Sequence, residues 1–433
     1  MRDSNIYKKI LDGQGKLPSN MGIIPYEDID EFTYEGIKES LEHNGDFNIV
    51  NMEVKENLLE GNIRYINQNL RVKIIINKSK FDVVDIEEKK DYYELSDQEV
   101  EHAKVANGYV ECRVYFGRNS LESYLAQLKI LNTITKNVAI LIDMSAFKLL
   151  SGNWLSFVAK SKVPPSAEYL YSVHLVSDDN KKGIWMHTHG LYRCGLLEVE
   201  MLKITESVEG QYNYLNAIVN KLLIEGMPRQ EAPIYAGRSQ NRDIVYIWLP
   251  WQKAIKRLSK KGLFGAKIKF LGDKDDRKDG AHNGPSAVLL AYDNKKIKDA
   301  DYYAEIIADN PIIYINSEET DRMSAVAEER FHHFKQIFND YKNENKWEFV
   351  IKVGCLIDSA KKKEDREHLW FKVNEIKERD FLGELINEPY GIDSMKKNCI
   401  YNMMISNISD WRIYSPKESY SPDSIYKYFE LDK

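Results

Sequence analysis

The run Trp185-Met-His187-Thr-His189-Gly190-Leu-Tyr-Arg193-Cys-Gly195-Leu-Leu-Glu198-Val-Glu200 gathers two of the chain's nine histidines, two glycines and two carboxylates. Imidazoles and carboxylates are the side chains of divalent-metal sites and of acid–base catalysis. His187 and His189 stand two apart at the end of a run that reads as a strand, so both rings project from the same face. A zinc site needs three or four N or O ligands in a tetrahedral array, and Glu198 or Glu200 is the nearest acid. One reading is therefore a metal-dependent hydrolase. His187 and His189 would hold one divalent ion, zinc by donor type, with Glu200 as a third ligand or Glu198 as general base, the two glutamates being the catalytic candidates. The competing reading makes the segment structural. The rings then bond to neighbouring backbone, Gly190 and Gly195 shape a tight loop, and Arg193 pairs with Glu198 or Glu200.

Other candidates are less complete. The loop from Asp275 to Ser286 holds Asp, His282 and Ser, but Ser286 lacks the Gly-x-Ser-x-Gly elbow and the loop reads as a solvated turn. Gly13-Gln-Gly-Lys16 and Gly262-Leu-Phe-Gly265-Ala-Lys267 fall short of a phosphate-binding loop. Trp248-Leu-Pro-Trp251 could line a small-molecule pocket, although two core tryptophans at a strand-to-helix turn is the plainer reading. Cys112, Cys194, Cys355 and Cys399 are too dispersed for paired-cysteine zinc or a disulfide framework.

The elements that must position these residues alternate along the chain. Ser96-Asp-Gln-Glu99 has the capping-box form and starts a helix. Strand Tyr109–Phe116, helix Leu121–Ile134, strand Val138–Ile142 and a short helix at Trp154–Ala159 follow. Strands Tyr169–Val176 and Gly183–His187 flank a hairpin turn in Asp178–Gly183. A helix from Thr205 to Glu225 is stopped by Gly226-Met-Pro228. Further on come strands Ile244–Leu249, Lys267–Phe270 and Ala287–Tyr292, a helix Ala325–Tyr341, and strands Glu348–Leu356, Leu369–Ile376, Phe381–Leu385 and Cys399–Ile405.

This is an α+β pattern: an N-terminal mixed sheet with helices, then two smaller strand-rich modules. The expected modules are 1–226, 227–320 and 321–433. Short matching strings around residues 267–290 and 350–373 suggest that the last two are distant copies.

At 433 residues the chain has room for roughly three domains of about 150 residues. Its 61 basic and 67 acidic residues are mixed throughout, with a net charge of −6, so no basic face for nucleic acid is visible. No apolar run nears the roughly 18 residues that span a bilayer, and Met1–Ile10 lacks an apolar signal core. The expected location is cytoplasmic, with no membrane and no nucleic acid as partner.

The spacing of His187, His189 and Glu200 resembles the His-x-His-x10-Asp arrangement of JAMM-type metalloproteases. It departs from that pattern at Gly190, Leu197 and Glu200, where the family has proline, serine and aspartate. Glu367-His368-Leu-Trp370-Phe-Lys-Val373, Phe381-Leu-Gly383 through Pro389, and Ile408-Ser-Asp410-Trp411 resemble the bacterial family called domain of unknown function 2314. The opening Tyr7 to Pro18 and the His187-Thr-His-Gly-Leu segment are similar to domain of unknown function 4026, which is commonly fused to the former. These resemblances imply a bacterial protein and carry no activity or cofactor.

With no complete catalytic constellation in the sequence, the favoured expectation is a non-catalytic protein-interaction factor, immunity or regulatory, that needs no cofactor. Its 27 tyrosines suit an interface. His187, His189, Arg193, Trp370 and Trp411 are the candidate binding residues, and the metal-dependent hydrolase is the alternative.

Overall fold

Arg193 and Asp143, fifty residues apart, meet in the protein interior and pin together the first two of its three sheets. In the computed structural model residues 2–82, 86–179, 181–239, 242–259, 269–278, 282–308, 312–313, 317–362 and 365–430 are described. They divide into one unit of residues 1–160 and 166–315 and another of residues 161–165 and 316–433.

The first sheet of the larger unit contains β1 (Ser19–Pro25), β2 (Asn48–Lys55), β3 (Leu58–Tyr65), β4 (Gln68–Asn77), β5 (Tyr109–Tyr115), β6 (Val138–Asp143) and β7 (Lys148–Ser151), in the order β2-β3-β4-β5-β1-β6-β7. Its pairings are antiparallel. Helix Ser120–Ile134 starts at Asn119, whose side chain accepts from the Glu122 backbone, and is buried along most of its length. Helices Ile86–Tyr93 and Asp97–Val105 lay Ile86, Val100 and Ala103 on Ile24, Ile140, Ile142 and Leu149. The second of these begins with the expected capping box, Ser96 and Glu99 bonding reciprocally.

The second sheet contains β8 (Ser172–Asp178), β9 (Lys181–His189), β10 (Glu198–Ile204), β11 (Ile234–Ser239), β12 (Arg242–Pro250), β13 (Ser286–Asp293), β14 (Lys296–Lys298) and β15 (Ile312–Ile313). Its order is β15-β11-β12-β13-β10-β9-β8, with β14 on β13. The β10–β13 pair is parallel and the others are antiparallel. Because β10 and β13 are neighbours, the module boundary expected at 226 falls inside one sheet, and segments 1–226 and 227–320 are not separate bodies. The core on one face of this sheet joins Trp185 and Leu202 to Ile247, Leu249, Phe270, Val288 and Leu290. Period-two alternation continues that face from Trp185 to His187 and His189, at the end of β9.

The smaller unit has β16 (Glu348–Leu356), β17 (Arg366–Ile376), β18 (Asp380–Leu385), β19 (Ile400–Met404), β20 (Ile408–Tyr414) and β21 (Ser419–Tyr420), in the antiparallel order β19-β18-β17-β16-β20-β21. The helix expected over Ala325–Tyr341 is two helices, Ser317–Glu329 and Phe331–Tyr341. They break at buried Arg330, whose guanidinium donates to the Pro422 carbonyl. Trp411 is core rather than surface: its ring packs on Phe334 and its Nε1 donates to the Ala327 carbonyl at 3.1 Å. Trp370 is half-buried under the Lys352 ammonium. Of the strand expected at Lys267–Phe270, which opens the first of the two suggested copies, residues 267 and 268 lie outside the described ones, and residues 269–270 form no strand beyond a single bridge at Phe270. Among the described residues no helix is long and apolar enough to cross a membrane.

The Arg193 side chain is 1% exposed and that of Asp143 0%. Two parallel bonds of 3.0 and 2.8 Å join them, and Arg193 also donates to Ser19 Oγ and the Leu170 carbonyl. A desolvated charge left without its partner is far costlier than the intact pair. Asp143→Ala is therefore expected to lower the unfolding free energy by about 3–5 kcal/mol, measured by denaturant titration. A loss below about 1 kcal/mol, the level of an exposed ion pair, would show that the two sheets do not rely on this contact.

Candidate metal centre

The hairpin β8–β9 pairs His174 directly opposite His187 and Ser172 opposite His189. Three imidazoles thus share one face of two neighbouring strands. His174, His187 and His189 each offer a ring nitrogen, and these nitrogens all lie within 4.8 Å of one another. Their ring centroids are 4.7 to 5.6 Å apart. A fourth histidine arrives from the loop before β13: His282 Nε2 lies 3.0 Å from His187 Nε2. Its ring also stands 5.2 Å from that of His189. Tetrahedral zinc with Zn–N bonds of ~2.0–2.1 Å places its nitrogens about 3.3 Å apart. The ring nitrogens of His174, His187 and His189 thus stand within about 1.5 Å of that spacing.

Burial sets the protonation. His189 is buried, and desolvation, reinforced by the three neighbouring rings, pushes its pKa down to about 3. His174 is lowered for the same reason, burial first and His282 second. Both rings are neutral at physiological pH, the form that ligates.

The two carboxylates expected to complete the site are occupied elsewhere. Glu200 pairs with His187 across β9–β10, but its carboxylate is engaged bidentately by Arg277, at 2.9 Å for one bond, and accepts from Trp185 Nε1 at 2.8 Å. Arg277 is itself buried, its guanidinium over the rings of Trp185 and Trp251. Glu198 closes the turn after β9. Its Oε1 accepts from the backbone N–H of Gly190 and Leu191 at 2.9 Å, and its Oε2 from Thr188 Oγ1 at 2.6 Å. Burial pushes its pKa up to about 7. Both oxygens of each carboxylate are thus engaged, and the side chain grouped with His187 and His189 is His174 rather than Glu200. The expected Arg193 pairing with Glu198 or Glu200 gives way to Asp143.

The intervening glycines are required by geometry. Gly190 and Gly195 have φ of 113° and 78° and bracket the 3-10 turn Leu191–Cys194. A Cβ on Gly190 would stand 2.7 Å from the Leu170 carbonyl oxygen.

The loop expected to be a solvated turn is instead one wall of the site. Arg277 fastens it through Glu200, and Trp251 Nε1 donates to the Gly284 carbonyl at 3.1 Å. Ser286 lies in the same wall with its Oγ buried and without a hydrogen-bond partner among the described residues. His174 had a sequence signal, because a hairpin turning near Asp178–Gly183 sets it opposite His187. His282 had none, since its approach depends on where the loop is tied.

Phe147 guards the opposite flank. Its ring meets those of His189 and His174 at 4.7 and 6.5 Å, and its backbone has φ +51° while the residue is 52% exposed. A bulky side chain in the left-handed region is strained, and such strain collects at functional sites. Phe147→Asn keeps the turn with a residue that tolerates this φ. It is expected to raise the unfolding free energy by about 1 kcal/mol, measured by denaturant melts of metal-free protein. A loss of stability instead would mean that the ring's packing outweighs its strain.

Comparison with known families matches three models along the chain. Residues 19–165 match "Protein of unknown function (DUF4026) N-terminal", and residues 173–290 match its C-terminal counterpart. Residues 318–425 match "Uncharacterized protein conserved in bacteria (DUF2314)". No curated protein and no solved structure matches the chain. All four histidines of the cluster lie within the second match, and the chain belongs to the DUF4026 family, with a DUF2314 domain after it.

Proposed function

We propose that the larger unit is a metal-dependent hydrolase built on one divalent transition-metal ion, zinc by donor type. His174, His187 and His189 are its strand-borne ligands, and His282 is an exchangeable fourth. The observation that carries this reading is the convergence of three ring nitrogens within 4.8 Å on two paired strands. An all-imidazole set leaves the ion its full double charge, which acidifies a bound water and polarises a carbonyl or phosphoryl oxygen. His282 comes from a loop rather than a strand, so it can yield its place to water or substrate, the open position that separates catalytic from structural zinc. With Glu198 and Glu200 tied into the scaffold, neither serves as general base, and an ion held by His174, His187 and His189 would supply the Lewis acidity that activates water.

Protein purified without a tag or chelator is expected to carry about one equivalent of metal by elemental analysis. His187→Ala should fall to about a tenth of that with an unchanged circular dichroism spectrum. Hydrolysis of a simple ester such as p-nitrophenyl acetate should disappear with chelator and return with zinc. A folded His187→Ala variant that keeps its metal would falsify the ligand assignment. Metal without ester turnover would leave a binding centre and remove the hydrolase.

A separate feature favours the interaction reading for the smaller unit, in a cytoplasmic setting. Strand β19 is a sheet edge whose Ile400 and Met404 are exposed, and Tyr390 nearby is 95% exposed. Such an edge can accept a strand from another protein. A photo-cross-linker at Ile400 should trap one partner in cells, and Asn402→Pro should abolish the product. A cross-link that persists undiminished in Asn402→Pro would exclude strand addition.

A further inference from the structure

We infer that the larger unit carries a second binding site, independent of the histidines, that takes a single-chain amphiphile with an anionic head. The site is a half-open groove of about 580 Å³ between helix Arg2–Leu11, the segment after helix Val208–Glu225 and the end of β12. Its volume lies in the ~300–1,000 Å³ range of pockets that hold small ligands.

The walls are apolar and preformed. Tyr7 stacks on Trp248 at 6.4 Å, and its hydroxyl is fixed by the backbone of Ser286, donating to the carbonyl at 3.0 Å and accepting from the N–H at 3.1 Å. Trp248 Nε1 donates to the Pro228 carbonyl at 3.0 Å, and the residue is 1% exposed, so the indole is a satisfied, rigid floor beneath the groove. Met227 and Pro250 extend the same lining.

The rim is cationic. Lys8, Arg229 and Lys253 border the groove against one carboxylate, Asp12. All three cations are exposed. Lys253 donates to the neutral Gln230 side chain, and neither Lys8 nor Arg229 is in an ion pair among the described residues. Elsewhere in this unit several surface cations are paired, as Lys55 and Lys73 are with Glu60. An apolar trough beneath unpaired cations fits an acyl chain whose carboxylate lies at the mouth, and it disfavours a neutral or cationic amphiphile of the same length.

Titration calorimetry of the full chain with octanoate, decanoate and dodecanoate tests the assignment. The dissociation constant should fall about fourfold per added methylene. Dodecyltrimethylammonium should bind at least about tenfold more weakly than dodecanoate, an electrostatic preference that fades with salt. Arg229→Glu with Lys253→Glu, both at exposed positions, should weaken dodecanoate about tenfold and leave bound metal unchanged. Met227→Trp should fill the trough and remove binding without lowering the melting temperature. Affinity that ignores chain length, equal binding of the cationic amphiphile, or association with phosphatidylglycerol vesicles alone would overturn the proposal. The last result would identify a membrane-surface contact instead of a soluble ligand.

Discussion

A charge taken out of water must find its opposite, and around the histidine cluster two buried arginines, Arg193 and Arg277, enforce that rule. Arg193 reaches from the turn after β9 to Asp143 on the first sheet, and Arg277 reaches from the loop before β13 to Glu200 on the second. The first pair fixes where the end of β9 sits, and with it His187 and His189. The second fixes the loop that carries His282. Without these ties the four rings would have no common focus. The same ties explain why Glu198 and Glu200 do not join the cluster: their carboxylates are already engaged by backbone N–H groups and by arginine.

That division of labour distinguishes this centre from the His-x-His-x10-Asp pattern it resembles in sequence. There the acid ten residues on is a ligand. Here Glu200 faces the same side of the sheet yet turns to Arg277 and Trp185, and the third nitrogen comes from the paired strand. A pocket lined by imidazoles alone would cancel none of a bound ion's charge. Phe147, Trp185 and Trp251 keep its surroundings apolar, which strengthens electrostatic interactions inside it.

The sequence made some of this legible. Alternation placed β9 and the shared face of His187 and His189, and the turn at Asp178–Gly183 held enough to pair His174 with them. The capping box at Ser96 and the glycine stop at Gly226 marked helix ends through local chemistry alone. Strand β1, by contrast, reads Ser-Asn-Met-Gly-Ile-Ile-Pro and shows no alternation, because it lies inside its sheet between β5 and β6 and is buried on both faces. The break at Arg330 was invisible since its cause, the Pro422 carbonyl, is ninety-two residues away. Long-range pairing likewise decided the fates of Glu200, Arg193 and Arg277. Charged residues read locally as solvated until a partner on another element is known.

The parallel pairing of β10 with β13 also carries a kinetic implication. During translation β10 emerges long before its neighbour, which follows only after β11, β12 and the helices Val208–Glu225 and Trp251–Leu258 have been made. Until then the nascent chain presents an unpaired strand edge and a carboxylate at Glu200 with no guanidinium to meet it. Long-range closure of this kind is slow, so the loop that carries His282 joins the three rings of the β8–β9 hairpin last.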